Sequence, residues 1–84
     1  MSLIGATKES ILRELDGEPK HGYAIAEAIE ISKGGVYSHL KDLEEAGMVA
    51  VYEVEEEGRG VKTYRITEAG HLLVKALDKA EWYR

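Results

Sequence analysis

The residues able to do chemistry gather in one run, Ser32 to Gly47, SKGGVYSHLKDLEEAG. Its first ten residues hold the hydroxyls of Ser32 and Ser38, the ammonium groups of Lys33 and Lys41, the phenol of Tyr37, and the bare backbone of Gly34 and Gly35. Ammonium groups, hydroxyls and the unbonded amides of a helix start are groups that bind phosphate, and short side chains let a ligand come close to the backbone. The acids Asp42, Glu44 and Glu45 are confined to the second half. Further cations stand apart from this run: His21 before it, and after it Arg59 between two glycines, Lys62 and Arg65. Each glycine in a helical turn costs roughly 1 kcal/mol against alanine, so the pair asks for a reason. A solvated helix face with a loosely wound start is the plainer alternative, and the surrounding elements decide between the two.

Other chemistry is poorly served. The chain has no cysteine, which excludes disulfides, thiolate metal sites and a cysteine nucleophile. No nucleophile elbow is present, and EGRGVK lacks the spacing of a phosphate-binding loop. His21, His39 and His71 are far apart, and no helix carries carboxylates at ligand spacing, so neither a metal nor a cofactor is expected. The protein is not expected to be an enzyme.

The elements that must position these groups follow from periodicity. In Leu3 to Asp16, Ile4, Ile11, Leu12 and Leu15 share one helical face, and DGEP closes the segment. Ser2 and Thr7 are both candidate caps for it. His21 to Ile29 predicts a second, short helix with Ile25 and Ile29 one turn apart and alanines between. Ser32 caps a third helix that Gly47 ends, with Val36, Leu40 and Leu43 on its buried face and Gly34, Ser38, Lys41, Asp42 and Glu45 turned away. The period then changes: MVAVYEVE and VKTYRI read as the strands of a hairpin, with EEGRG as its turn and Arg59 at its tip. Thr67 caps a fourth helix, about residues 67–84, along which Leu72, Leu73, Ala76, Leu77 and Ala80 recur, with Trp82 and Tyr83 near its end. Helix, helix, helix, hairpin, helix is the order of a mainly α winged helix-turn-helix, in which the third helix enters the major groove of DNA.

The runs ILRELDGEPKHGYAIAEAI, SKGGVYSHLKDLEEAGMV and YRITEAG, in this order and spacing, resemble the PadR family of winged-helix transcriptional regulators. The resemblance covers roughly Ile11 to Leu73. It implies a dimeric DNA-binding repressor whose third helix and wing touch DNA and whose C-terminal helix helps to make the dimer. Two departures accompany it. Lys33 and Gly34 follow the cap serine where members commonly carry proline and glycine, and Gly35 replaces a usual hydroxyl. A single C-terminal helix also stands where many members have a longer helical module.

The 84 residues are expected to form one domain, residues 1–84, with 44% apolar and 32% charged residues. The longest apolar run, MVAVY, is too short to cross a bilayer, and a cytoplasmic location is expected. The lack of asparagine and glutamine beside many glutamates and lysines is a habit of heat-adapted proteins and points to a thermophile. The net charge of -5 runs against a nucleic-acid partner, and no segment is basic overall, so a basic patch must be assembled by folding. The expected DNA-contacting residues are therefore His21, Ser32, Lys33, Gly34, Gly35, Tyr37, Ser38, Lys41, Arg59, Lys62 and Arg65. Tyr23 is expected in the core. The expected dimer surface is Leu72, Leu73, Ala76, Leu77, Ala80, Trp82 and Tyr83, and a small apolar or aromatic effector would be sought beside Trp82. The alternative function is a winged-helix protein-interaction module with an acidic docking surface.

Overall fold

The computed structural model describes residues 5–55 and 61–82. Ile4, Arg59, Tyr83 and the side chain of Trp82 lie outside what is described. Four helices, α1 (Ala6–Gly17), α2 (Gly22–Ile29), α3 (Lys33–Glu45) and α4 (Glu68–Trp82), surround a small sheet of β1 (Lys20–His21), β2 (Val49–Glu55) and β3 (Val61–Ile66).

The sheet is antiparallel with order β1-β3-β2, so the expected two-stranded wing is in fact three-stranded. The extra strand pairs Lys20 with Tyr64 and His21 with Thr63. Two residues cannot show a period of two, and the pairing is made by backbone groups, which explains why the pattern gave no sign of it. In the β2–β3 ladder the register shifts between Val51 and Glu53, so Tyr52 is the extra residue of a bulge.

One core joins all the long elements. Ile11, Leu12 and Leu15 from α1, Ile25 and Ala26 from α2, Val36, Leu40 and Leu43 from α3, Val49 from β2, Tyr64 from β3 and Val74 from α4 form a single buried cluster. Every apolar position read from the period of α3 is inside. Burying each such side chain is worth roughly 1.5–3 kcal/mol, which outweighs the cost of the two glycines in its first turn. At the surface Arg13 bridges α1 to α4, its Nη1 donating to Asp78 at 2.7 Å and its Nε to Glu9 at 3.0 Å. These two carboxylates, Asp78 foremost, hold the guanidinium in its charged form and raise its pKa.

The helix ends are built by local chemistry. Ser32 Oγ accepts from the Gly35 amide at 3.1 Å, as a capping serine should. At the far end Gly47 takes φ 78°, its amide bonds to the Glu44 carbonyl, and the Met48 amide reaches back to Leu43. Thr7 does not cap α1, whose capping position belongs to Gly5 with no side-chain bond, and the other candidate, Ser2, lies outside the described residues. Thr67 makes two contacts: its Oγ1 accepts from the Gly70 amide at 3.2 Å and donates to the Gly47 carbonyl at 2.6 Å. The Thr67 amide also bonds to the Met48 carbonyl at 3.0 Å. The runs EEAGM and ITEAG are thus one joint in space, fastening the start of α4 to the exit of α3.

Candidate nucleic-acid interface

With Val36, Leu40 and Leu43 committed to the core, the remaining positions of α3 face outward except Gly35 and His39, which are half-buried. Ser32, Lys33, Gly34, Tyr37, Ser38 and Lys41 are all exposed, and Gly35 is half-buried beneath the Ser32 hydroxyl. A Cβ added at Gly34 would meet nothing within 4 Å, so the protomer's own packing makes no demand for glycine there. Apart from Gly35, the expected contact residues of α3 lie together on one exposed strip from Ser32 to Lys41.

Tyr37 sits at the edge of this strip, 42% exposed, with its ring laid against the backbone of Gly22. A Cβ at Gly22 would stand 2.7 Å from Tyr37 Cε1, so the buried glycine of the HGY run makes room for the tyrosine of α3. Beneath it Tyr64 is buried, and burial, then the Glu44 carboxylate and Tyr37, push its phenol pKa up.

Tyr23 departs from expectation: it is 48% exposed and outside the core. Its ring lies under the Lys33 ammonium, with Nζ 4.0 Å from the ring centroid. The Glu27 carboxylate on the side of its hydroxyl is the main cause of its raised pKa. This side-chain set joins the start of α2 to the start of α3 and was missed by sequence reasoning.

His21, on β1, is half-buried and its Nδ1 lies 3.1 Å from the Thr63 hydroxyl of β3, so it stands at the root of the wing. Lys62 and Arg65 are both exposed, but their three-residue spacing on β3 puts them on opposite faces of the strand. Arg59, expected at the wing tip, is outside the described residues. Acidic groups border the strip: Asp42 is drawn aside at 3.4 Å from Lys8, whose Nζ also lies 2.9 Å from His39 Nδ1. Among the described residues no cluster of His, Asp and Glu has metal-binding geometry.

The residues expected at a dimer surface on α4 differ in exposure within the protomer. Leu77 is only 3% exposed and Leu73 packs against the core, so both serve the protomer's own interior. Leu72, 55% exposed, and the exposed Ala76 and Ala80 remain on the open flank.

A helix-turn-helix whose second helix presents an open start, backed by a three-stranded wing, is a winged helix, and together with the family match it places the chain among transcriptional regulators, a non-enzymatic DNA-binding class. Residues 11–76 match the Transcriptional regulator PadR-like family, and the chain belongs to that family. Over 67 residues it is 34% identical to an HTH-type transcriptional regulator of Methanocaldococcus jannaschii, covering 80% of this chain and 70% of that protein. A crystal structure described as a transcriptional regulator from Thermoplasma acidophilum aligns with a TM-score of 0.75 at 31% identity, over 96% of this chain and 88% of that one. The adhesin competence repressor of Streptococcus pyogenes aligns with a TM-score of 0.79 over 92% of this chain. At 22% identity that likeness is one of fold, and this chain spans 57% of the repressor's length. Among the described residues no helix is long and apolar enough to cross a membrane.

Proposed function

We propose that the protein is a homodimeric transcriptional repressor that reads an inverted-repeat operator through α3 and the wing. One α3 from each protomer enters successive major grooves, about 34 Å apart. The observation that carries this reading is the exposed strip of α3, where Gly34 faces open space between Lys33, Ser38 and Lys41. Ser32, Gly35 and Tyr37 complete the strip, with His21, Arg59, Lys62 and Arg65 as the contacts from the wing side. The open flank of α4, Leu72, Ala76 and Ala80, with Trp82 and Tyr83 beyond it, supports self-association. A cleft lined by Ala6, Thr7, Ser10, Ile29 and Ile31 holds about 110 Å³, well below the 300–1,000 Å³ usual for ligand pockets, and a small apolar or aromatic effector would be sought instead beside Trp82.

Selection of bound fragments from the host genome, followed by titration at several salt concentrations, tests the reading. Lys41→Ala together with Arg59→Ala is expected to weaken operator binding and to reduce the salt slope by about one for each phosphate left without its cation. Unchanged affinity in that variant would place the contact face elsewhere. The -5 charge is the observation on the side of a protein-docking module. No DNA binding at low salt, with a stable protein partner recovered instead, would decide for that alternative.

A further inference from the structure

Lysine side chains are the most costly to order, because four rotatable bonds must be fixed before the ammonium can serve as a specific contact. Lys33 is the first residue of α3 and is exposed, so nothing about its position on the helix restrains it. Its ammonium nevertheless stands 4.0 Å from the centroid of the ring of Tyr23, a residue of the preceding helix. Glu27, one turn further along α2, lies on the hydroxyl side of the same ring. The three side chains thus form a chain from α2 to the mouth of α3, outside the core.

We propose that Tyr23 is a positioning residue for DNA binding, holding the Lys33 ammonium beside the start of α3 in the pose that meets a DNA phosphate. The inference rests on the reading of α3 as the DNA-contacting helix. An ammonium lying on a ring face keeps donors directed away from the ring, so the phosphate completes the lysine's shell and Tyr23 remains underneath. Because the side chain is ordered before DNA arrives, less freedom is lost on binding.

Two measurements test this. In the free protein, the Lys33 side-chain methylene resonances should be shifted upfield by the Tyr23 ring current; Tyr23→Leu should abolish the shift and Tyr23→Phe should keep it. On operator DNA, Tyr23→Leu should weaken binding about two- to fivefold per protomer engaged, the range set by an exposed cation–ring contact, while Tyr23→Phe keeps most of the affinity. In a Lys33→Ala background, Tyr23→Leu should have no further effect, and Lys33→Ala alone should lower the salt slope by about one. Thermal melting of each variant separates these effects from loss of fold. If the effects of Tyr23→Leu and Lys33→Ala multiply independently, or the ring-current shift is missing, the positioning role is overturned. If Lys41→Ala weakens binding while Lys33→Ala does not, this inference fails and the α3 reading stands. If neither lysine matters, the α3 reading fails and takes the inference with it.

Discussion

A Cβ at Gly34 would enter open space, whereas one at Gly70 would collide with the backbone carbonyl of Met48 and stand 2.7 Å from Ile66 Cγ1. The two glycines look alike in the sequence and should respond in opposite ways. Gly34→Ala is expected to stabilise the protein by up to about 1 kcal/mol, the difference in helix propensity, and so to raise the melting temperature. The same methyl should weaken operator binding roughly tenfold or more, by overfilling the space between α3 and the groove floor. Higher stability with unchanged affinity would show that DNA never approaches this backbone. Gly70→Ala should instead destabilise by about 1–3 kcal/mol, because the obstructing atom is main chain and cannot swing aside. Equal melting temperatures for the variant and the parent would remove the close approach of α4 to Met48. Tyr23 shows what was legible at this scale and was misread. At about 100° per residue it lies roughly 160° from the buried Ile25 and close to the exposed Glu27, so the helical period already placed it outside. Its aromatic character outweighed that geometry in the expectation. The clash at Gly70 was not legible, because it depends on Met48, far earlier in the chain and brought close only by folding.

All four helices were readable because each buries a stripe at helical spacing, both wing strands because they are rich in β-branched and aromatic residues, and Ser32, Gly47 and Thr67 sit where caps belong. Strand β1 and the turn between α2 and α3 were not, for a shared reason: both are made by backbone bonds that leave little mark on residue type. In that turn Glu30 adopts φ 58° and ψ 46°, its amide bonding toward Ala26 and Glu27, and the Ile31 amide bonds to the Ala26 carbonyl at 3.1 Å. This is the same closure that Gly47 provides for α3, performed by a residue with a side chain. A non-glycine residue in the left-handed region costs roughly 1–2 kcal/mol, partly offset by the greater chain freedom glycine has when unfolded. Glu30→Gly is therefore expected to stabilise by about 0.5–1 kcal/mol, read as a midpoint shift in urea with an unchanged slope. A destabilised variant would mean that the Glu30 side chain contributes something its geometry does not reveal. The turn sets the angle at which α3 leaves α2, so the variant should bind operator DNA as the parent does.

At the scale of the whole molecule the -5 charge and the proposed operator binding pull against each other. A single protomer offers only a narrow cationic strip, with Asp42, Glu44 and Glu45 further along the same helix. In the proposed dimer two strips would act together and recover affinity, because the second contact becomes intramolecular once the first has formed. Operator binding should then depend on the dimer more steeply than it would for a strongly basic regulator. Leu72 is the residue to change: it is 55% exposed in the protomer, whereas Leu77 is buried and its replacement would damage the fold. In a two-fold symmetric interface every substitution acts twice, and burying one leucine is worth roughly 1.5–3 kcal/mol. Leu72→Lys should therefore raise the dimer dissociation constant by roughly a hundredfold or more, measured by sedimentation, while leaving the melting behaviour of the dissociated protomer intact. Lysine is the informative choice because an added base cannot repel DNA. A drop in operator affinity for Leu72→Lys at protomer concentrations near the parent's operator Kd, recovered at higher concentration, would arise from weakened pairing alone. A variant that remains dimeric would move the interface off the Leu72 flank of α4 and with it the geometry that sets the two α3 helices about 34 Å apart.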